Sequence, residues 1–526
     1  MKDSKKQRIE KYAAKGRRYK ILAYNRFIIT SLLVLLELAV YILFLFYLDS
    51  KSSWAVQIVE RALALICVVH LIMRTDRLYS KTHWIVLLLL LPLVGMGCYF
   101  IFGDGRPTRR MHKKIRAEQK ENLPLLAQSE KVSEKVLDGG RLTAPCKYLY
   151  EKAGYPAYLN GTVSYYKTGE ELFQEMLKEA EKAKKYILVE YFIFAGGKMW
   201  DALRALLLKK AEEGVKVYIS YDDFGSIMYL PYGYEKYVEE LHPNIRCKVF
   251  NRVVPFLAGW QNNRDHRKIF VVDGKVAFTG GINIADEYIG EKCRFGYWKD
   301  TGLKITGEGV KSFCVMFANL WNAFEKEKID VQELIAECVS EDENSAALIQ
   351  PYDDSPLDTL YTGASVYIDM ITSATDYVYV FTPYLILDDM LRSAFCAAAA
   401  RGVDVRIVTP GIPDKKMVYR VTPANYDALL NAGVKIYEYT PGFIHAKSMV
   451  CDGKHAVVGS INCDYRSLYH HFENAVYFTD EKAMEDLKRD CEQTIALSNL
   501  VTKENFRRSV FRRLADAVLR LFEPML

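Results

Sequence analysis

The chain has 526 residues, which is long enough for two or three domains. Half of the residues are hydrophobic and 26% are charged, a composition that predicts a membrane segment attached to a soluble part. The net charge is +6, but residues 1–20 alone carry nine Lys or Arg against two acidic residues, so the remainder is close to neutral. These totals argue against nucleic acid as a partner. Eleven cysteines without paired spacing predict neither a disulfide framework nor a metal site.

Three hydrophobic segments follow the basic tail of residues 1–26. They cover residues 27–48, 54–73 and 84–102, and each is long enough to cross a bilayer as a helix. The first segment is too long for a cleaved signal peptide, and no small-residue cleavage site follows it. We therefore predict a transmembrane region over residues 27–103. Buried helices of a soluble core are the less favoured alternative.

The charges around these segments give conflicting indications of topology. The basic tail favours a cytoplasmic N-terminus, and three crossings would then place the downstream region outside. A basic cluster between residues 106 and 116 directly follows the last segment and favours the inside. We predict a multi-pass protein of the cell membrane with its downstream region in the cytoplasm, which requires that one segment does not cross.

Strands and helices alternate in the same order twice beyond a polar juxtamembrane linker at residues 104–145. This alternation predicts an α/β layered fold. The first copy, residues 146–330, has predicted helices at 170–184 and 200–213 and predicted strands at 186–194 and 215–221. The second copy, residues 351–500, has predicted strands at 377–382 and 403–408 and a predicted helix at 389–401.

Two further stretches differ in composition from the copies. Residues 331–350 are acidic and predict a solvated connector. Residues 501–526 predict an amphipathic helix, with Phe506, Val510, Leu514, Val518 and Leu521 or Phe522 at helical spacing and arginines off that stripe. Such a helix could rest on anionic lipid or dock on the protein's own surface, and the sequence leaves both open.

The two copies share a motif. His266, Lys268 and Asp273 fall at i, i+2 and i+7, and Gly280-Gly281-Ile282-Asn283 follows. His445, Lys447 and Asp452 repeat this spacing and are followed by Gly459-Ser460-Ile461-Asn462. A single His-x-Lys carries almost no information, but agreement over some eighteen positions indicates an internal duplication.

The motif has the residue types that phosphodiester chemistry needs. If each copy is a strand, its His and Lys point to one face, where the Lys neutralises phosphate oxygens and the His attacks phosphorus or moves a proton. Asn283, Ser460 and Asn462 could supply N–H donors to the same oxygens. Asp273 and Asp452 complete the predicted catalytic motif, although their odd offset points them to the opposite face and suggests a structural part. A lone His on a strand is usually a packed structural residue; the doubled pattern favours catalysis.

The duplicated HxKxxxxD pattern resembles the signature of the phospholipase D superfamily. Trp298-Lys299-Asp300 after the first copy, and Asp464-Tyr465-Arg466-Ser467 with Phe472-Glu473 after the second, extend the resemblance. With the N-terminal hydrophobic region, the chain is similar to the bacterial cardiolipin synthases over roughly residues 54–526. The resemblance implies two α-β-α sandwich repeats that form one catalytic unit, preceded by transmembrane helices.

The resemblance also implies an activity. A phosphatidyl group would pass between two phosphatidylglycerol molecules through a phosphohistidine, giving cardiolipin and glycerol. His266 is assigned as nucleophile and His445 as acid and base by analogy, with Asp300 and Glu473 orienting the two histidines. No metal or other cofactor is implied, and the expected partners are phosphatidylglycerol and other anionic membrane lipids. The oligomeric state stays open.

Three alternatives remain open at this point. The chain could be a membrane-bound phospholipase D with water as acceptor, a phosphodiesterase or nuclease, or a membrane scaffold with an inactive site. Residues 222–262, rich in Tyr, Pro and Gly, could line an acyl-chain entrance, but ordinary loop packing is slightly favoured. The chain departs from the family pattern at His471 and Asp265, where Asn is usual, and both changes could alter the acid's pKa or the choice of acceptor.

Overall fold

The computed structural model describes most of the chain. The described ranges are residues 38–50, 54–74, 81–102, 109–130, 144–254, 259–338, 347–358, 360–506 and 509–520, with a few isolated positions besides. Four stretches that the sequence analysis singled out lie outside these ranges. They are the basic tail, the start of the first hydrophobic segment, the acidic run at 340–344 and the end of the predicted C-terminal helix.

Four apolar helices come first in the described chain. They are α1 (Leu38–Ser50), α2 (Trp54–Met73), α3 (Lys81–Leu90) and α4 (Pro92–Phe102). Within the described residues, α2 is the helix long and apolar enough to cross a membrane, and most of its side chains are exposed. The predicted segment 84–102 is divided at Leu91, because Pro92 has no N–H to donate and its ring crowds the preceding turn. The described residues therefore do not form three uninterrupted membrane-spanning helices.

Two helices connect the apolar region to the first half. They are α5 (Arg109–Asn122) and α6 (Ala144–Glu151). The buried side of α5 carries Met111 and Ile115, which pack with Phe250 of the first half and Phe472 of the second. The predicted juxtamembrane linker is thus helical where it is described, and it docks on the folded body.

The first half is built on a seven-stranded mixed sheet. Its strands, β1 (Val163–Tyr166), β2 (Tyr186–Tyr191), β3 (Lys216–Asp222), β4 (Ile245–Phe250), β5 (Ile269–Val272), β6 (Val276–Gly280) and β8 (Gly302–Thr306), lie in the order β1-β8-β6-β5-β2-β3-β4. Strands β2, β3 and β4 are parallel. The helices of this half are α7 (Gly169–Glu181), α8 (Lys198–Glu212), α9 (Asp223–Ser226), α10 (Tyr234–Glu239), α11 (Val310–Asn322) and α12 (Val331–Ile335).

The second half repeats this arrangement with one strand added. Its sheet order is β19-β13-β12-β10-β15-β16-β18-β9, which matches the first sheet strand for strand when read from β9. The strands are β9 (Ile349–Asp354), β10 (Tyr377–Phe381), β12 (Asp404–Pro410), β13 (Lys435–Tyr439), β15 (Ser448–Cys451), β16 (His455–Gly459), β18 (Glu473–Phe478) and β19 (Ser498–Val501). The helices are α13 (Thr362–Ser373), α14 (Asp389–Ala400), α15 (Lys416–Val421), α16 (Tyr426–Ala432), α17 (Tyr465–Tyr469), α18 (Glu481–Ala496) and α19 (Val510–Arg520).

One apolar layer joins the two sheets. It contains Phe313 and Phe317 of α11 and Leu487 of α18, packed between strands of both halves such as those of Val271 and Val458. Separate apolar clusters lie on the outer face of each sheet. Since both sheets bury residues on both faces, their strands are almost continuously apolar, as in YILVEY of β2. The α/β layered fold predicted from the alternating elements is confirmed.

The stretches outside the repeats differ from their predictions. Val331, Leu334 and Cys338 pack into the layer between the sheets, and Ile349 begins the edge strand β9. The described part of the predicted acidic connector is therefore ordered and largely buried rather than solvated. The C-terminal helix is shorter than predicted, since Val501 ends β19 and α19 begins at Val510.

The motif aspartates Asp273 and Asp452 tie each sheet together at the turn after β5 or β15. Both adopt a left-handed backbone, with φ of 51° and 54°. Asp273 accepts hydrogen bonds from the N–H groups of residues 184–186, and Asp452 accepts them from residues 375–377. These donors hold the pKa of Asp452 at about 2, although burial alone would raise it.

We expect Asp452→Asn to lower the free energy of unfolding at pH 7 by about 1 to 3 kcal/mol, because three backbone N–H donors lose a charged acceptor. The folded pKa lies below the ordinary value, so this stabilisation is present above about pH 4 and is lost as pH falls towards 2. Thermal unfolding across pH should show the variant and parent converging in acid. The exposed neighbour provides a control, Asp376→Asn, and an equal effect there would contradict the argument.

Candidate active site

The motif histidines and lysines lie just before the strands rather than within them. Strand β5 begins at Ile269 and β15 at Ser448, one residue after each motif Lys. His266 and Lys268, like His445 and Lys447, occupy extended segments at the strand starts, where a side chain can reach the sheet edge. Each Lys ammonium donates to the carbonyl oxygen of the His two residues earlier.

Backbone pairing between the halves fixes both segments. The N–H of His266 donates to the carbonyl of Phe472 at 2.8 Å, and that of Phe472 to Arg264 at 2.8 Å. In the other direction, the short strand β14 (Gly442–Ile444) pairs in parallel with β7 (Tyr297–Lys299). The N–H of His445 continues this ladder to the carbonyl of Lys299 at 2.7 Å.

This pairing delivers one carboxylate to each histidine from the opposite half. His266 Nδ1 lies 2.8 Å from Glu473 Oε2, and His445 Nδ1 lies 2.7 Å from Asp300 Oδ2. A carboxylate on Nδ1 favours the tautomer with its proton there and leaves Nε2 as the reactive nitrogen. All four side chains are buried. The sequence indicated the two acids as histidine partners but gave no indication that the pairs are exchanged.

The cluster is rich in buried cations. Burial lowers the pKa of Lys447 to about 7 and of Lys268 to about 8, while Glu473 and Asp300 act in the opposite direction. Burial and the nearby Lys447 lower the pKa of His445 to about 4. The pKa of His266 is also well below its usual value, through burial and Lys268. Removing charged groups from water is costly, so a bound anion would stabilise this site.

The predicted phosphate ligands have different surroundings. Ser460 is buried, and its Oγ donates to Glu473 Oε2 and so helps to hold that carboxylate. Asn462 is buried with no hydrogen-bond partner for Oδ1 among the described residues. Asn283 accepts from the N–H of Ile193 and donates to Tyr288, so at least one of its amide hydrogens is engaged in the fold.

Aromatic rings cover both histidines. Phe192 meets the His266 ring edge-on at 4.9 Å between centroids. The His445 ring lies 5.5 Å from Trp298 and 5.4 Å from Tyr288. Such apolar walls reduce the number of waters near the reactive nitrogens and strengthen electrostatic interactions inside the site. Sequence reasoning gave no role to Phe192 or Tyr288, since an aromatic residue near a strand end is usually a core residue.

His471 is a third histidine in the cluster. Its ring lies 5.6 Å from that of His266, and its Nδ1 is 3.7 Å from Glu473 Oε1. It is buried, and neither ring nitrogen has a hydrogen-bond partner among the described residues. The other departure, Asp265, joins the buried ion pair of Arg267 with Glu190.

The described residues offer one group with the spacing of metal ligands. His266, His471 and Glu473 each have a ligand atom within 4.8 Å of the others. The ammonium groups of Lys268 and Lys447 act on the same histidine, and their positive charge disfavours a cation there. The charge balance fits a phosphate diester better than a metal ion.

The solved structure of phosphatidylserine synthase from Haemophilus influenzae has a similar fold. It matches this chain with a TM-score of 0.53 at 13% identity, covering 69% of this chain and 95% of the other. At that identity the likeness concerns the fold alone.

Sequence comparisons give closer relatives. A protein of Streptococcus mutans that carries no functional name is 41% identical, over 85% of this chain and 96% of its own length. A protein named cardiolipin synthase from Geobacillus kaustophilus is 34% identical, over 84% and 88%, and cardiolipin synthase 2 of Bacillus anthracis is 32% identical, over 88% and 89%.

Two family models match parts of the chain. One, described as a phospholipase D-nuclease N-terminal region, matches residues 62–103, which contain most of α2 with α3 and α4. The other, described as the cardiolipin synthase, phospholipase D-like domain, matches residues 176–294 and 367–495, one segment in each half. Each matched segment contains one complete His-x-Lys motif. With relatives above 30% identity over most of its length, the chain belongs to the cardiolipin synthase family of phospholipase D-like proteins.

Proposed function

We propose that this chain is a cardiolipin synthase that transfers a phosphatidyl group from one phosphatidylglycerol to another and releases glycerol. The observation that carries the proposal is the pair of buried His–carboxylate couples exchanged between the halves, with a Lys beside each. One couple suits a nucleophile and the other an acid, which is what a two-step transfer needs. The named relatives support the same activity.

In the first step, His266 Nε2 attacks the phosphorus of the donor lipid. The bond between phosphorus and the glycerol oxygen breaks. His445, which takes up a second proton on Nε2 when the anionic donor binds beside it, gives that proton to the oxygen, so free glycerol leaves. Glu473 keeps the Nδ1 proton of His266 in place and stabilises the charge that develops on the ring. The phosphatidyl group is then bonded to His266.

In the second step, a hydroxyl of the acceptor phosphatidylglycerol replaces the histidine. His445, now neutral, removes the hydroxyl proton as the oxygen attacks phosphorus, and the bond to His266 Nε2 breaks. The proton returns to His445, which Asp300 orients for both transfers. Both histidines end in their starting states, and no external reactant is consumed.

The remaining motif residues hold the phosphate and the frame. The ammonium groups of Lys268 and Lys447 would neutralise the phosphate oxygens through both steps. Uncharged donors would bind the same oxygens: Asn462, a backbone or side-chain donor at Ser460, and the second amide hydrogen of Asn283. Asp273 and Asp452 would act at a distance, by fixing the turns that end the motif strands. Two substrates held in one bilayer meet at high effective concentration, so a lipid hydroxyl can compete with water.

We further propose a multi-pass location in the bacterial cell membrane, with the catalytic body in the cytoplasm. Helix α2 has the length to cross, and the kinked pair α3 and α4 would supply the return passage or a re-entrant segment. The basic start of α5 follows this region directly and favours the cytoplasmic side. Anionic lipids would then serve both as substrates and as surroundings.

The first prediction is the reaction itself. Purified protein reconstituted with labelled phosphatidylglycerol should yield cardiolipin and glycerol in equal amounts, with EDTA present, and excess glycerol should drive the reaction backwards. Product analysis by thin-layer chromatography or mass spectrometry measures both. Phosphatidic acid as the sole lipid product would mean that water is the acceptor, and the synthase proposal would be replaced by a hydrolase.

The second prediction concerns the two histidines. His266→Ala and His445→Ala should each lower turnover by orders of magnitude, and the double variant should be little worse than either single one, because both act in one site. A covalent lipid adduct should accumulate in His445→Ala and be absent from His266→Ala. His242→Ala, in the turn before β4, is the control. Multiplicative losses would refute one shared site, and a reversed adduct pattern would exchange the two roles.

The third prediction concerns the side of the membrane. Glu212 is exposed at the end of α8, and Cys293 is the exposed cysteine among those described. In a Cys293→Ser background, Glu212→Cys should react with a membrane-impermeant maleimide in inverted vesicles and stay unlabelled in intact spheroplasts. The background protein without the new cysteine is the control. Labelling in spheroplasts would place the catalytic body outside.

A further inference from the structure

Exposed apolar side chains lie close together in the first half, near the ends of its parallel strands. Phe224, Met228, Tyr232 and Val254 are between 39% and 70% exposed, although large apolar side chains usually avoid water. They lie in the loops that follow β3 and β4, at the carboxyl ends of parallel strands. The backbone at Gly225 lies against the carbonyl of Phe192, whose ring packs on His266, so the segment after β3 lies next to the site.

The second half has the same feature at the equivalent edge. Ile412 is exposed directly after β12, and Met390 is exposed at the start of α14, which follows β10. Tyr229 of the first half and Asp414 of the second lie within electrostatic range of each other. The loop after β3 therefore approaches the loop after β12. We call the side chains of Phe224, Met228, Tyr232, Val254 and Ile412 the mouth surface.

Cations stacked on aromatic rings border this surface. The Arg252 guanidinium, which also pairs with Glu235 at 2.6 Å, lies 4.9 Å from the centre of the Tyr232 ring. Lys415 Nζ lies 5.6 Å from the centre of the Tyr384 ring. Aromatic rings beside Lys and Arg are typical of the headgroup region of a bilayer, where the ring meets the apolar boundary and the cation meets phosphate. The pattern fits an anionic lipid surface.

The path of the chain places the bilayer on this side. Six residues separate the end of α4 from Arg109, so the start of α5 lies within about 25 Å of the last apolar helix. Met111, in the first turn of α5, packs with Phe250, which ends β4, and with Phe472, which pairs with His266. The chain thus leaves the apolar helices beside the edge that carries the mouth surface.

A second contact gives the same direction. His83, near the start of α3, lies within interaction range of Asp389 and Arg520. Asp389 begins α14 beside the exposed Met390, and Arg520 ends α19. Helix α19 lies against α15 and leaves Phe511 and Leu514 exposed. The C-terminal helix, for which the sequence left lipid contact and self-docking both open, therefore has a docked side and an exposed apolar side.

We propose that the mouth surface inserts into the bilayer interface, so that the site opens directly into lipid. Lipid headgroups would reach His266 and His445 by moving sideways within the bilayer, without crossing water, and the same contact would limit the entry of bulk water as a competing acceptor. Helix α19 would extend the contact through Phe511 and Leu514. The consequence for substrate access rests on the proposed function, whereas the insertion does not.

Insertion can be measured without turnover. A nitrobenzoxadiazole probe is attached to Phe224→Cys in a Cys293→Ser, His445→Ala background. The labelled protein is reconstituted in phosphatidylglycerol–phosphatidylcholine vesicles. The probe should then emit at a shorter wavelength than the free dye does in detergent-free buffer. Lipids with a doxyl group on the acyl chain should quench it. Glu212 lies near the start of β3, whereas Phe224 follows its end. The same probe on Glu212→Cys should therefore be unaffected by these lipids. Equal quenching at both positions, or at neither, would overturn the proposal.

A second measurement tests the consequence for access. Met228→Ser combined with Tyr232→Ser should lower turnover of long-chain phosphatidylglycerol in vesicles by at least about tenfold, because two apolar side chains no longer favour the inserted state. Turnover of a short-chain, water-soluble phosphatidylglycerol should stay unchanged. The matched control is Leu123→Ser, an exposed apolar residue after α5. Equal losses on both substrates would contradict lateral access, and probe quenching without any cardiolipin would retain insertion while rejecting the proposed reaction.

Discussion

The site depends on backbone hydrogen bonds exchanged between the two halves. Each motif histidine donates its N–H to the carbonyl of the residue immediately before the other half's acid, Phe472 before Glu473 and Lys299 before Asp300. The carboxylate therefore arrives beside the imidazole through the ladder itself rather than through a flexible side chain. Neither half alone pairs its motif histidine with a carboxylate. The pairing of each motif histidine with a carboxylate thus needs both halves, which pack together through the apolar layer between the sheets.

The second constraint is the burial of charge. Lys268 and Lys447 are almost fully inaccessible to water, and their lowered pKa values, about 8 and about 7, reflect that environment. A phosphodiester that enters this site meets cations already stripped of water, so little solvent reorganisation remains to be done during the reaction. The aromatic rings at Phe192 and Trp298 maintain the low dielectric on which this arrangement relies. In the proposed mechanism, the same buried environment would therefore stabilise the transition state and exclude water.

Much of this arrangement could be predicted from the sequence, because duplication and period are local signals. The helices and strands of both repeats follow from apolar spacing, and the predicted helix 170–184 is observed as Gly169–Glu181. What the sequence could not give is non-local. The exchange of Glu473 and Asp300 between halves joins residues that are 207 and 145 positions apart in the sequence. The acidic composition of residues 331–350 concealed an edge strand that begins at Ile349. Pro92 is visible in the sequence, but the uniformly apolar composition around it favoured one continuous helix and concealed the division there.

The two half-sites are related by duplication, yet they are not equivalent in detail. A Cβ at Gly281 would lie 2.0 Å from Asp300 Oδ1, so the shorter acid reaches His445 only because that position has no side chain. At the matching position Ser460 has a hydroxyl that donates to the longer acid, Glu473. His471 adds a further imidazole next to His266, and His445 has Trp298 in the corresponding space. A reaction in which one histidine forms a bond to phosphorus while the other transfers a proton makes different demands on each, and this asymmetry allows each half-site to be adjusted without disturbing the other.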